Sequence, residues 1–504
     1  MLIIQKYMPR VGDVIFALKK KVNKSEVGKK IVHGVFWSFL GTVVFRALIF
    51  LSSIVIARML KKEGFGELGM IRSTIDMFIV FSIFGLGITT TKFVAEYRDT
   101  DKQKAGRVAK MALHMAFIMG FVISVSLFFL SNPLASNSLE NAKLGSGLRY
   151  GSWAILFYAI NGVQTGILAG LEAFKKIAKV NLIAGVINLP ISIALTWFLG
   201  VNGAILSLTI NAVLIAVLSW MEIRNETKKF GINVNEKDYL KEYKVLYTFS
   251  LPAVLSGILV LPVNWYCNLL VAKEPSGYSY LGVYNAALSI SLIISVVNTT
   301  LGQALLPQVI RNFKQKNAKL EAINNFVPWG IGIFLSLPFI LVPEIAGIAF
   351  GKDFTSGNLN GTVVIVMIGT IVIAHRQGIA RNFAAGNFMW WSMLSNGIWG
   401  LLAILYMIGL KQGGSEGRAG AYAFAYFVST VVFIPFYIKK ELADRYFLIS
   451  PESLAIWGII FISFIVMIMF KLSIYLRILM LLVACAIILW IFYRIYKHVT
   501  TVAQ

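Results

Sequence analysis

The chain has few of the residues from which crosslinks, metal sites and soluble surfaces are built. Its 504 residues include two cysteines and four histidines. Cys267 and Cys485 lie inside apolar runs and the histidines are scattered, so we expect neither a disulfide framework nor a zinc-type metal site. Charged residues make up only 14% of the chain, against about one quarter in an average soluble domain. So few charges cannot cover a water-soluble particle of this length, which excludes a soluble protein.

Long apolar runs take the place of the missing charge. Hydrophobic residues make up 58% of the chain, and an α-helix needs roughly 20 mostly apolar residues to cross a bilayer. The sequence predicts fourteen such helices. Their approximate spans are 32–57, 69–91, 108–130, 148–170, 180–200, 202–222, 245–270, 280–304, 323–343, 361–383, 388–409, 420–438, 452–471 and 476–496.

The distribution of positive charge predicts the orientation in the membrane. Lys and Arg number 47 against 23 Asp and Glu, a net charge of +24. In a soluble protein this excess would indicate nucleic-acid binding. Here 31 of the 47 fall in segments on the side of the N-terminus and 8 in the opposite loops. Because cytoplasmic loops carry the excess of Lys and Arg, both termini are predicted to be cytoplasmic.

Two halves of the chain carry the same short motifs. Ala57-Arg58 recurs as Ala272-Lys273, and the pair Leu68-Gly69 as Leu281-Gly282. Each repeated motif is offset from its first copy by about six spans, so both copies start on the same membrane face. We therefore expect an all-α polytopic protein with two six-helix lobes related by a pseudo-two-fold axis along the membrane normal, and helices 13 and 14 outside them. The predicted segments are a basic N-terminal segment 1–31, an N-lobe 32–230, a C-lobe 231–445 and a C-terminal part 446–504.

Two glycine patterns have structural explanations. Gly64-Phe-Gly-Glu-Leu-Gly69 matches the letters of a dinucleotide fingerprint, but a membrane span precedes it where a β-strand is required. We interpret it as a tight turn between spans 1 and 2. Gly162, Gly166 and Gly170 repeat every four residues in span 4, a spacing that lets helix backbones approach closely in lipid.

Charges inside the spans are the most informative residues, because burying one in the bilayer centre costs at least ~2.5–3.5 kcal/mol. Arg46 lies in the middle of span 1, too deep to reach the interface easily. Arg72 and Asp76 are four residues apart in span 2 and can pair along the helix. Arg376 and Arg381 in span 10 differ by about 140° around the helix, so both cannot face one narrow cavity. Each of these charges can also be a structural ion pair or a snorkelling side chain.

The motifs together resemble those of polysaccharide and oligosaccharide-lipid flippases of the multidrug/oligosaccharidyl-lipid/polysaccharide exporter superfamily. The matching features are the polar first span ending in Ala57-Arg58, the Gly64-Phe-Gly turn, and Phe84-Gly-Leu-Gly87 leading to Ala95-Glu96-Tyr97. The resemblance implies transfer of an undecaprenyl-diphosphate-linked glycan from the cytoplasmic to the outer leaflet of a bacterial membrane. Related lipid II flippases carry two arginines in this span; Arg46 matches the first, whereas Ser52 occupies the second position.

The cargo that this resemblance implies has a dianionic diphosphate, a polar glycan and a long apolar tail. Arginine suits the diphosphate because its planar fork binds phosphate with two hydrogen bonds and stays charged. Candidate diphosphate ligands are Arg46, Arg72, Arg376 and Arg381, and candidate glycan-path residues are Asn161, Gln164, Asn188, Asn264 and Asn285. Asp76 is the candidate ion-coupling residue, and Glu96 and Glu172 at cytoplasmic ends are candidate gating residues.

Three other functions remain open beside the glycan-lipid flippase. A lipid II flippase would share the superfamily, and a drug or cation antiporter would share the fold, although span 1 has no acidic residue to attract a cation. A membrane glycan polymerase or ligase would need catalytic groups in a large external loop, and loop 131–147 lacks paired carboxylates and histidine. We therefore expect a transporter of the inner membrane, not an enzyme. Its partners would be a polyprenyl-diphosphate-linked oligosaccharide, membrane lipids and other glycan-assembly proteins, with no nucleic acid and no cofactor beyond coupling protons or sodium ions.

Overall fold

A computed structural model describes residues 26–83, 85–234, 236–243, 258–313, 317–386, 388–410, 413–470 and 472–502. Throughout these ranges the regular structure is helical, with no β-strand. The predicted basic segment 1–31 lies mostly outside them. The helices are α1 Glu26–Ile83, α2 Leu86–Tyr97, α3 Lys102–Pro133, α4 Leu144–Gly170, α5 Phe174–Phe230, α6 Val260–Ala272, α7 Gly277–Asn312, α8 Ala318–Leu341, α9 Glu344–Phe350, α10 Lys352–Thr355, α11 Leu359–Ala385, α12 Met389–Gly409, α13 Gly414–Lys439, α14 Arg445–Ile449, α15 Pro451–Met469 and α16 Ile474–Val502.

Two of these helices are too long for one membrane crossing and fold back on themselves. In α1 the backbone of Lys61 is not helical. Arg46 and Arg72, on either side of it, interact electrostatically, whereas a straight helix would hold them roughly 39 Å apart. In α5 the break falls at Gly200, whose φ of 58° favours glycine. Gly203 then packs against the carbonyl oxygen of Leu195.

The number of membrane crossings agrees with the predicted class of protein. Eleven helices in the described ranges are long and apolar enough to span a membrane, and Val260–Ala272 is a shorter apolar helix. Since α1 and α5 each contain a fold-back, they account for more than one crossing apiece. The polytopic all-helical fold is confirmed, and the count of fourteen stays a prediction.

The glycine ladder of α4 lies where two helices touch. A Cβ atom on Gly166 would overlap the carbonyl oxygen of Gly87 in α2, and one on Gly170 would lie 2.8 Å from the Val94 side chain. The small residues thus allow the close approach that the spacing predicted. The prediction for Gly64–Gly69 was wrong, because this stretch is helical and follows the break at Lys61.

The last two long helices pack on the second half through an aromatic cluster. Trp329 of α8 meets Trp457 of α15 at 5.6 Å and Phe492 of α16 at 6.2 Å between ring centroids. His375 of α11 stacks on Phe447 at 4.3 Å. The cluster buries flat apolar surfaces from α8, α11, α14, α15 and α16 together, which attaches the C-terminal helices.

Candidate functional site

The two halves of the chain touch most closely at a crossing between α1 and α7. A Cβ atom on Gly66 would overlap the carbonyl oxygen of Tyr278, and one on Gly282 would overlap the carbonyl oxygen of Lys62. The separation in sequence between Lys62 and Tyr278 equals that between Gly66 and Gly282. Such reciprocal contacts are what a two-fold axis at the crossing would produce.

The motif repeat and the helix contacts differ in register here. The repeated motif pairs Gly69 with Gly282. In the structure Gly69 lies against the amide of Asn285, and Gly66 holds the place equivalent to Gly282. The difference of three residues is about one helical turn. Close contact between the backbones requires a glycine on the contact face of the helix. The motif does not show which glycine lies on that face.

Polar contacts surround the glycine crossing on both sides. The backbone amide of Lys62 donates to Asp353 Oδ2 at 2.8 Å, and the hydroxyl of Tyr278 donates to the Leu139 carbonyl oxygen at 2.6 Å. Lys273 forms a salt bridge of 3.1 Å with Glu140. In every pair one residue comes from each half.

Arg58 adds a further link between the halves. Its guanidinium donates to the carbonyl oxygens of Ile348 at 2.6 Å and Ala349 at 2.8 Å. These carbonyls lie in the last turn of the short helix α9, where helical hydrogen bonding leaves them free to accept. We call the contacts of Arg58, Lys62, Gly66, Glu140, Lys273, Tyr278, Gly282 and Asp353 the seal.

Past the seal the halves stay in contact as far as Ser73 and Thr74, which accept hydrogen bonds from Asn268 and Trp265, and they separate towards Asp76. Gly69 and Asp76 are seven residues apart and therefore lie on nearly the same face of α1, roughly 10 Å from each other along the axis. Gly69 touches Asn285 of the second half, whereas the Asp76 side chain is 44% exposed. A space consequently opens between the halves on the side of Asp76.

Three charges of the first half gather beside this space. Arg72 Nε lies 3.9 Å from Asp76 Oδ2, beyond hydrogen-bonding distance, and the Arg72 side chain is 53% exposed. Arg46 is exposed and interacts electrostatically with Arg72 and Tyr158. Tyr158 in turn lies beside Asn211. The group carries two guanidinium groups against one carboxylate, so it favours an anion. We call Arg46, Arg72, Asp76 and Tyr158 the arginine cluster.

The other two predicted arginines lie in the second half and differ from each other. Arg376 donates to Ser429 Oγ at 3.0 Å and Ser395 Oγ at 2.9 Å, with Tyr426 5.4 Å from its guanidinium. Arg381 is buried and donates to the side chain and carbonyl of Asn324 at 2.6 and 2.7 Å. The two residues contact different helices. The placement of Arg381 favours a structural role over the predicted substrate contact.

The predicted polar amides fall into two groups. Asn161 donates to Ser219 Oγ at 3.2 Å and Gln164 to the Ala216 carbonyl at 3.0 Å, so both join α4 to α5. The side-chain oxygens of Gln164 and Asn188 are buried without a hydrogen bond among the described residues. Asn285 lies instead at the contact between the halves, against Gly69, and Asn264 accepts a hydrogen bond from Arg418 within the second half.

The predicted gating acids lie at helix ends. Glu96 is exposed in the last turn of α2. Glu172 follows α4 and accepts a hydrogen bond of 2.9 Å from Arg98. Burial alone would lower the pKa of Arg98, but hydrogen bonds to Glu172 and Asp99 outweigh it and raise that pKa above its ordinary value. Glu172 therefore fixes the end of α2 against the end of α4.

The sequence pattern of the family described as "Polysaccharide biosynthesis protein" matches residues 31–313. These residues are more than half of the chain and include the arginine cluster and the first-half side of the seal. The chain belongs to this family. A curated relative, the EPS I polysaccharide export inner membrane protein EpsE of Ralstonia nicotianae, is 22% identical over 361 residues, covering 69% of this chain and 79% of the relative.

Two solved structures show the fold of this family member. The lipid II flippase MurJ in an inward closed conformation matches with a TM-score of 0.68 and 18% identity, covering 92% of this chain and 100% of that chain. An inward-facing multidrug resistance MATE family transporter of the MOP superfamily matches with a TM-score of 0.60 and 17% identity, covering 79% and 95%. These two likenesses concern the fold, and the predicted multi-pass helical fold is confirmed.

In this family member, sequence reasoning missed Tyr158 and Arg418. A tyrosine inside an apolar span gives no signal of its own. Arg418 fell outside the predicted spans, since the twelfth begins at residue 420. In the structure α13 begins at Gly414, and Arg418 is buried with 2% of its surface exposed. Placing the helix start a few residues earlier would have identified it as a charge inside a span.

Proposed function

We propose that this protein is a flippase that moves a polyprenyl-diphosphate-linked oligosaccharide from the cytoplasmic to the outer leaflet by alternating access. The oligosaccharide would be a repeat unit of O-antigen, capsule or exopolysaccharide. The observation that carries the proposal is a pair of exposed arginines at the entrance side of a sealed contact between two halves. The name of EpsE, a polysaccharide export inner membrane protein, supports the substrate class.

Alternating access requires a site that is open to one side at a time. The seal closes one end of the contact between the halves, and the exposed Asp76 indicates that the other end is open. In the proposed orientation, with both termini cytoplasmic, the open end faces the cytoplasm and would receive the lipid-linked substrate. Residues 32–230 and 231–445 act as the two moving lobes, and 446–504 follows the C-lobe.

The charge of the cluster distinguishes the proposal from a drug or cation antiporter. Arg46 and Arg72 outnumber Asp76, and within the described residues Arg46 has no salt bridge with an acid. A cationic drug would be repelled by two guanidinium groups, whereas a diphosphate would gain charge-assisted hydrogen bonds from both. Arg46, Arg72 and Arg376 are the proposed diphosphate ligands. The amides Asn161, Gln164, Asn188, Asn264 and Asn285 remain the proposed glycan path.

A lipid II flippase is the second candidate, because the MurJ fold covers 92% of this chain. Lipid II also carries a diphosphate, so the arginine cluster suits either cargo. The difference lies at Ser52, where the lipid II flippases carry their second first-span arginine. Here Ser52 is buried and hydrogen-bonds Ser192 at 2.7 Å. A second phosphate contact from this position is therefore missing, which favours the oligosaccharide carrier.

The energy source and surroundings follow from the same proposal. Asp76 is the proposed relay if a proton or sodium gradient drives transport, since it is the acid of the arginine cluster. Glu96 and Glu172 act in gating at the cytoplasmic ends. The protein would lie in the inner membrane beside glycan-assembly proteins, and it would transport its substrate without chemical change.

Transport can be tested in proteoliposomes of the purified full-length protein. Fluorescent polyprenyl-diphosphate oligosaccharide is placed in both leaflets, and a membrane-impermeant lectin or glycosidase reports the share that is exposed. Protein-dependent transfer of the oligosaccharide carrier supports the proposal. Transfer of lipid II alone would favour the second candidate, and transfer of neither, with folded protein, would contradict both.

A further inference from the structure

Arg418 is a cation held by neutral groups. Its Nε donates to Asn268 Oδ1 at 2.7 Å and a terminal nitrogen donates to Asn264 Oδ1 at 2.8 Å. The Tyr284 ring lies 4.6 Å from the guanidinium carbon. Within the described part of the chain, no carboxylate forms a salt bridge with Arg418. With 2% of the residue exposed, the charge is nearly removed from solvent.

The amides that hold Arg418 also join the two halves. Asn268 donates through its amide nitrogen to Ser73 Oγ at 3.1 Å, and Trp265 on the same helix donates to Thr74 Oγ1 at 2.9 Å. Ser73 and Thr74 directly follow Arg72 in α1. The hydrogen-bonded chain Arg418–Asn268–Ser73 therefore runs from α13 of the second half to the residue next to the arginine cluster.

Burying the Arg418 charge among neutral groups is energetically unfavourable, which suggests that the charge has a function. A buried guanidinium loses its hydration, and neutral amide oxygens replace it less well than an anion does. Phosphate oxygens accept shorter, stronger hydrogen bonds from a guanidinium than amide oxygens do. An anionic group arriving beside Arg72 would thus compete with Asn264 and Asn268 for Arg418.

We propose that Arg418 is a further diphosphate ligand from the second half, in addition to Arg376, and that its transfer from Asn268 to the diphosphate loosens the seal. The inference rests on the proposed function and extends it. Asn268 loses its charged neighbour when the guanidinium turns to the diphosphate, so its hydrogen bond to Ser73 across the halves is weakened. Substrate then lies between arginines of both halves, and its arrival favours the change that opens the sealed end.

The test combines binding with a distance across the seal. Glu63 and Lys352, exposed neighbours of the bonded pair Lys62 and Asp353, are replaced by cysteine and spin-labelled. The reference protein is the full chain with Cys267→Ala and Cys485→Ala. Farnesyl diphosphate is the probe, and farnesol is its uncharged control.

Three variants distinguish the effect of the Arg418 charge, the effect of its two-pronged hydrogen bonding, and a general effect on folding. Arg418→Gln keeps a donor for Asn268 without the charge, and we expect at least about tenfold weaker binding of farnesyl diphosphate and no lengthening of the label distance. Arg418→Lys keeps the charge without the fork and should be intermediate. Arg477→Ala is the matched control, because this largely buried arginine is bound to Glu344 at 2.7 Å away from the cluster. It should behave as the reference protein.

A further variant tests the link to the seal. Asn268→Ala removes the bridge to Ser73, so the label distance should lengthen without any probe; an unchanged distance would contradict the loosening step. If Arg418→Gln binds and opens as the reference does, the inference fails and the proposed function stands. If the reference binds the diphosphate without opening, the coupling fails. If the reference protein binds farnesyl diphosphate no better than farnesol, both this inference and the proposed function fail.

Discussion

Gly66 and Gly282 occupy equivalent places in the two halves, each with its backbone against a carbonyl oxygen of the other half. Neither position leaves room for a Cβ atom. The seal therefore depends on direct backbone contact between α1 and α7, with hydrogen bonds arranged around it. A side chain at either position would therefore push α1 and α7 apart where the halves meet.

Gly66→Ala should hold the halves apart at the seal. Overpacking of this kind costs about 1–3 kcal/mol, which shifts the balance between sealed and open states by roughly one to two orders of magnitude. The measurement is the spin-label distance between positions 63 and 352, together with the flipping rate. Gly458→Ala in α15 is the control, since no described atom lies within 4 Å of its Cβ position. Equal spin-label distances in Gly66→Ala and Gly458→Ala would contradict the prediction that a side chain at position 66 holds the halves apart.

A disulfide across the seal should stop transport. Cysteines replacing Lys62 and Asp353, whose backbone amide and carboxylate are bonded at 2.8 Å, would lock the two halves together. We expect flipping to fall to background after oxidation and to return after reduction. Cysteines replacing Ser52 and Ser192, whose hydroxyl oxygens lie 2.7 Å apart within the N-lobe, provide the control crosslink. Flipping by the oxidised seal variant at the control rate would show that the seal does not open during transport.

Arg46→Ala should reduce flipping at least about tenfold while expression and folding stay near normal, because it removes one charge-assisted contact to the diphosphate. Arg46→Lys should restore only part of the rate, since lysine lacks the bidentate fork. The proteoliposome assay measures the rate, and thermal unfolding measures stability. Full transport by well-folded Arg46→Ala would remove Arg46 from the binding site.

Asp76→Asn tests the proposed relay. The substitution keeps the size of the side chain and removes the group that can bind a proton or sodium ion. If a gradient drives transport, the variant should flip at the same rate with and without that gradient, whereas the parent protein should be accelerated by it. Unchanged gradient dependence in the variant would assign coupling to another residue.

Arg381→Ala should lower stability more than transport. Its guanidinium makes two short hydrogen bonds to Asn324 in a buried setting, so its removal should cost about 2–4 kcal/mol. We expect a lower Tm and nearly normal flipping per folded molecule. The opposite pattern, normal stability with lost transport, would return Arg381 to the list of substrate ligands.

The sequence by itself determined the class of protein and identified three of the charged residues of the candidate site. Apolar length and low charge are summed along the chain, so they identify a polytopic helical membrane protein without knowledge of helix packing. The cost of a charge in lipid singled out Arg46, Arg72 and Asp76, which the structure brings to one space. The glycine spacing of α4 predicted a close helix contact, and one is found at Gly87.

Only the tertiary structure decided which faces meet. A helix can be shifted by one turn against its neighbour without any change in its hydrophobic pattern. The motif that pairs Gly69 with Gly282 therefore did not reveal that Gly66 is the structural counterpart of Gly282. The same uncertainty of one turn left Arg418 outside its predicted span. Whether an arginine is free for substrate depends on its neighbours: Asn324 binds Arg381, whereas Arg46 and Arg72 stay exposed. Such neighbours come from helices far apart in the chain, and no local pattern specifies them.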